Sequence, residues 1–132
     1  MRKVLEVVLC GLIGALLVAA AVLVRLSVVG GHAMEPALVS GDVCVSLTRS
    51  AVETGDIVLY TNPGHGPVLH RVVAVGPSGE VRTRGDANPV ADREAVPAAQ
   101  VQGRVVAVVP FGRAARGWIR AVRGATLLTQ SR

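Results

Sequence analysis

Val43-Cys44-Val45-Ser46-Leu47 alternates residue by residue, and the runs that follow it repeat the theme. Alternation over four to eight residues is the signal of a half-buried β-strand. Ile57 to Tyr60 is a short apolar run, Leu69 to Val75 and Val101 to Val109 are rich in valine, and Val81 to Thr83 is a shorter candidate. Thr54-Gly55-Asp56, Asn62-Pro63-Gly64-His65-Gly66-Pro67, Pro77-Ser78-Gly79 and Gly85-Asp86-Ala87-Asn88-Pro89 lie between them. Short strands separated by such turn-forming clusters predict a mainly β domain over residues 26–112, a sheet or a small barrel.

Upstream the pattern changes. Val4 to Val24 is a run of 21 residues whose only charge is Glu6. About 20 apolar residues cross a bilayer as a helix. Arg2 and Lys3 precede the run and favour a cytoplasmic N-terminus, a signal that Arg25 at the other end blunts; residues 1–25 are expected to form an uncleaved anchor in that orientation. Ala19-x-Ala21 offers a leader-type cleavage site, but the apolar run continues past it. Leu9 before Cys10 argues against a lipoprotein signal. Cys10 then lies in the membrane segment and Cys44 outside it, too far apart for a disulfide. No cysteine or histidine spacing suggests a metal site.

From Val96 onward there are six arginines and no acidic residue, within a net charge of +5. Solubility and contact with anionic lipid are the two readings. Nucleic acid is not an expected partner, given the expected extracytoplasmic placement and the lack of interleaved aromatics. In residues 113–132, Arg113, Arg116, Arg120 and Arg123 recur on one helical face, and Trp118, Ile119, Val122 and Leu127 form another. That suggests an amphipathic helix on the membrane, although Gly117 and Gly124 favour a frayed basic tail equally.

One stretch carries chemistry. Gly31-His32-Ala33-Met34-Glu35-Pro36-Ala37-Leu38, followed by Ser40-Gly41-Asp42, resembles the nucleophile segment of the type I signal peptidases. That segment reads small-x-Ser-Met-x-Pro-small-Leu and then Gly-Asp. Ala33 stands where the family has its catalytic serine, and a methyl group cannot attack a carbonyl. The family divides on its general base, lysine or histidine. Of the 14 basic residues here 13 are arginine, and Lys3 is on the cytoplasmic side of the anchor. Arginine stays protonated and cannot substitute. Leu69-His70-Arg71-Val72 resembles the His-Arg-Val motif of the histidine-type branch, which makes His70 the expected base. His32 adjoins position 33 and is expected to point away from it, and His65 sits in a turn.

Arg84-Gly85-Asp86-Ala87-Asn88, ending at Asp92-Arg93, is similar to the branch's Lys-Gly-Asp-Asn-Asn segment. On that match Asp92 orients His70, while Asp86 supports the site or is a turn aspartate. Gly103-Arg104-Val105 and Val109-Pro110-Phe111-Gly112 resemble the segment that closes the domain. The resemblance implies a membrane-bound serine endopeptidase removing signal peptides from exported preproteins, without metal or cofactor. The substrates carry small-x-small residues before the cut and lie extended along a strand edge. Gly31, Met34 and Pro36 are the expected substrate-side residues, with Met34 placing the site near the membrane surface. The chain itself is expected to be inactive, by an engineered Ser→Ala change or, alternatively, as a natural pseudopeptidase that binds signal peptides. The arginine-over-lysine bias points to a GC-rich, bacterial source and hence to the cell membrane rather than the endoplasmic reticulum.

Overall fold

The computed structural model describes residues 1–129, with side chains through residue 120. Helix α1 (Arg2–Leu23) passes directly into strand β1 (Val24–Val28). Strands β2 (Val43–Leu47), β3 (Ile57–Asn62), β4 (Gly66–Val75), β5 (Val81–Arg84) and β6 (Val101–Val109) follow, and helix α2 (Phe111–Thr129) closes the chain. The strands form one six-stranded sheet in the order β1-β2-β6-β3-β4-β5, every pairing antiparallel. Among the described residues no pairing joins β1 to β5, so the sheet is open rather than a closed barrel.

The alternation seen in the sequence decides which side chains are buried. On β3, Val58 and Tyr60 join Val72, Val81 and Val96 in one apolar cluster. Their neighbours on β3 and β4, Ile57 and Leu69, point the other way, into a second cluster of Val29, Met34, Leu38 and Cys44. The sheet therefore has a core on each face: one closed by the β5 hairpin and the Val96 segment, the other by residues 29–38. Fully burying a side chain of the size of Leu38 or Val58 stabilises the fold by about 1.5–3 kcal/mol. Register shifts at Val45/Ser46, Leu59/Tyr60 and Val72/Ala74 increase the local twist. The curl leaves a groove whose walls include residues of both β1 and β4.

Helix α1 is long and apolar enough to cross a membrane, with a mean hydropathy of 2.5, and no residue in it is buried. At 1.5 Å per residue, 22 residues span roughly 33 Å, against about 30 Å of hydrocarbon. The expected boundary at residue 25 moves: Val24 and Arg25 pair with Leu47 and Ser46, so the sheet begins where the helix ends. The apolar run hid the alternation of Val24-Arg25-Leu26-Ser27-Val28.

The C-terminal segment is helical from Phe111, in place of a frayed tail. Asp42, fully buried, accepts hydrogen bonds from the backbone N–H of Arg113 (3.1 Å) and of Val39 (3.0 Å). It caps the start of α2 from a distant loop. A side chain on Gly112 would collide with the Ser40 carbonyl and the Asp42 backbone, so only glycine allows this approach. Val122, Arg123 and Leu127, part of the expected helix faces, lie beyond the residues whose side chains are described.

Candidate active site

Residues 31–38 form consecutive turns rather than a strand. Leu38 N–H donates to the Met34 carbonyl (2.9 Å), and Glu35 N–H donates to His32 (3.1 Å). Met34 (2% exposed) and Leu38 (1% exposed) are pinned into the second core. Met34 therefore does not reach for a membrane surface: its side chain is a packing residue that also backs the groove. Pro36 is exposed and, with Ala37, offers its carbonyl to the Arg113 guanidinium (3.4 and 3.0 Å). His32 is exposed and bonds Glu35 (2.8 Å), which also accepts from Arg116 (2.8 Å). Those two hydrogen bonds, His32 first and Arg116 second, hold the Glu35 carboxyl below its usual range. His32 is thus occupied away from position 33 by its bond to Glu35 within the turn.

Position 33 is clamped from the opposite side. The Ala33 carbonyl accepts from the backbone N–H of Ala87 (2.8 Å). Gly85 packs directly on it: a Cβ there would lie 2.6 Å from the Ala33 carbonyl oxygen and 3.2 Å from its Cβ. The Ala33 N–H has no acceptor among the described residues.

His70 lies on β4 opposite Val58 of β3. Its Nδ1 is 2.6 Å from Asp92 Oδ2, and its side chain is 12% exposed. A carboxylate only accepts, so Nδ1 carries the proton and Nε2 is left with the lone pair. Asp92 is itself held, since the buried Thr83 hydroxyl donates to the same Oδ2 (2.7 Å) and Asp92 N–H donates to the Thr83 carbonyl (2.8 Å). Tyr60 packs edge-on against the imidazole, with ring centroids 6.2 Å apart. Burial, above all, pushes the Tyr60 phenol up; its contact with Thr83 works the other way, and the Asp92 charge reinforces the rise. Tyr60 is thus a neutral wall at physiological pH.

Asp86 is not part of this pairing. It takes a two-pronged ion pair from Arg71, Nε to Oδ1 at 2.8 Å and Nη2 to Oδ2 at 2.6 Å, and Arg71 also reaches the Gly55 carbonyl (2.8 Å). This bidentate bond to Asp86, first of all, raises the already high Arg71 pKa. Its effect is to tie the 85–88 turn to β4, which holds Gly85 and Ala87 against position 33.

Ala33 and His70 line the same groove of about 570 Å³, together with residues 25–31 around β1, Met34, Leu59, Pro67 to Leu69 and Gln102. Gly31 is on its rim with open space at its Cβ position. Two strand edges flank the groove. β1 is a terminal strand, and β5 pairs with β4 only from Arg71 onward, which leaves Gly66 to His70 unpaired on that side among the described residues. A second cavity, bounded by Tyr60, His65, Asp92 and Arg93, opens on the other side of His70. His65 sits in its turn and contacts Asn62 (3.4 Å).

The sequence pattern alone did not single out Thr83, Tyr60, Arg71 or Gly85. Arg71 and Gly85 sit inside quoted motifs, so their positions were visible and their roles were not. No family model matches the sequence, and no curated protein matches it.

Proposed function

We propose that this chain is a membrane-anchored signal peptidase of the histidine type, lacking its nucleophilic hydroxyl. The observation that carries the reading is the His70–Asp92 pair, with Nε2 free, in a groove shared with position 33. With serine at 33, the hydroxyl attacks the carbonyl at the cut and His70 Nε2 takes its proton. The tetrahedral oxyanion is met by the N–H of residue 33, a donor of a kind worth roughly 10²–10³ in rate. His70 then returns the proton to the departing amine while Asp92 holds the imidazolium. Thr83 keeps Asp92 in place.

The substrate lies extended between the free edges of β1 and of Gly66 to His70, where backbone groups supply hydrogen bonds. The apolar walls at Met34, Leu59 and Leu69 suit small side chains. Helix α1 serves as the anchor rather than a removed leader. Thr48 supports that assignment, since its hydroxyl and N–H bond the carbonyls of Val22 and Leu23 beyond the Ala19-x-Ala21 site. With alanine at 33 the groove binds signal peptides and does not cut them. The test is Ala33→Ser in the anchored protein, assayed on a peptide ending its leader in Ala-x-Ala. Cleavage after the second alanine is expected; a folded, uncleaving variant overturns the reading.

A further inference from the structure

Helix α2 divides its surface cleanly. At 100° per residue, Arg113, Arg116 and Arg120 share one side, and Phe111, Ala115, Trp118 and Ile119 share the other. The start of the basic side turns toward the protein, where Arg113 bonds the Pro36 and Ala37 carbonyls and Arg116 bonds Glu35; Arg120, one turn further, makes no such bond among the described residues. The apolar side turns away and is open, with Phe111 63%, Trp118 72% and Ile119 48% exposed. Two aromatics and an isoleucine on one face of a helix otherwise rich in arginine are the makings of an interfacial helix.

The same open surface continues back to the anchor. Leu26, Val45 and Ala107 are direct cross-strand partners, as are Val28, Val43 and Val109, so they share the sheet face opposite the Cys44 core. Leu26 and Val28 follow α1 with 71% and 68% exposure, and Val109 is two residues from Phe111. Exposed apolar residues thus recur from the end of α1 across the outer strands to the start of α2. After Val96 the chain has six arginines and no acid, which is the charge complement of an anionic surface.

We propose that α2 lies along an anionic bilayer surface, its Phe111–Trp118–Ile119 face in the headgroup region and Arg120 reaching lipid phosphates at its flank. Arg113 and Arg116 then connect that surface to the segment carrying position 33. Leu26 and Val28 also line the groove, so this surface adjoins the proposed substrate site, but the inference is read at Trp118 and does not depend on the peptidase reading.

Trp118 is the single tryptophan and reports directly. The full chain is reconstituted into vesicles of phosphatidylcholine alone, or of equal parts phosphatidylcholine and phosphatidylglycerol. Trp118 emission is then read with acrylamide and with brominated lipids. In the anionic vesicles Trp118 becomes blue-shifted, shielded from acrylamide and quenched by the brominated chains, and high salt reverses this. Arg120→Glu, a change of two charges, weakens the docking by roughly 25-fold, taking about fivefold per charge near an anionic surface. A water-exposed Trp118 in both vesicle types overturns the proposal. So does equal, salt-independent quenching in both, which would make the contact purely apolar. A shift that follows protein density without lipid quenching also overturns it, by showing a second copy on this face.

Discussion

Around His70 the geometry depends on the residue's own side chain; around Ala33 it is held by backbone contacts and by neighbouring residues, and not by the side chain at 33 itself. On the first side, one carboxylate oxygen gathers the imidazole and the Thr83 hydroxyl, and Tyr60 walls the ring. On the second, the Ala87 N–H, the bare Cα of Gly85 and the buried side chains of Met34 and Leu38 fix a turn whose own residue contributes only a methyl group. A site held by side chains is lost or retuned by one substitution. A backbone-held turn keeps its shape whatever small side chain it presents. That difference explains how position 33 can carry alanine while the rest of the groove stays assembled.

The sharpest way to break the comparison is chemical. Ala33→Ser should leave the turn unmoved and raise turnover from background by roughly 10⁶, the scale on which a serine protease depends on its nucleophile. Equal melting temperatures with and without the hydroxyl, measured beside the cleavage rate, check both halves of that statement. In the serine background, Asp92→Asn should lower kcat about 10⁴-fold by releasing the wrong imidazole tautomer. Asp86→Asn should change kcat far less and cost about 1 kcal/mol of stability, since its partner Arg71 is partly exposed. Steady-state rates and denaturant midpoints for the two variants separate the carboxylates; equal kcat losses would merge the roles that the geometry keeps apart.

Asp42 tests the backbone-held side through pH. Burial alone would raise its carboxyl, but the N–H groups of Val39 and Arg113, the Arg113 charge and the Gly112 N–H outweigh burial and hold it below the ordinary range. A depressed folded-state value means the stability is fully present above the unfolded aspartate value and is lost as the pH falls through the folded one. Asp42→Asn should therefore cost about 2 kcal/mol at neutral pH and flatten the acid limb of the stability curve. Thermal melts of both proteins from neutral pH to pH 3 read this out, and parallel acid limbs would remove Asp42 from the account. The smallest effect has the opposite sign. Ser46 is fully buried, and its hydroxyl has no hydrogen-bond partner among the described residues, so Ser46→Ala should stabilise the sheet by about 1 kcal/mol in a denaturant titration.

How much of this the sequence exposed depends on the range of the interaction. The strand Val43–Leu47 and the strand Val101–Val109 stand at their expected bounds because alternation is a local signal. β1 was hidden because its alternation begins inside an apolar run that reads equally well as helix. His70 and Asp92 came from motif resemblance, and their 2.6 Å contact spans 22 residues, which no periodicity encodes. The choice between Asp86 and Asp92 could not be made from spacing, because it turns on Arg71 pointing to the opposite face of β4 from His70. The Gly41-Asp42 pair looked like part of a catalytic segment. Its geometry is that of a helix cap, and the Pro110-Phe111-Gly112 stretch far downstream is its other half.

The junction of α1 and β1 has a geometric consequence. Leu23 is the last helical residue, Val24 is already paired, and Thr48 grips the carbonyls of the final turn. Helix α1 thus runs into the sheet with no loop between them, and the last helical turn and the first groove-lining residues are one continuous stretch of chain. β1, five residues at about 3.3 Å each, then carries the chain roughly 17 Å along the groove wall toward the turn that holds position 33. Lengthening β1 by two residues would keep every side chain on its face and move the turn by one pleat, turning the distance between α1 and position 33 into a quantity that can be dialled.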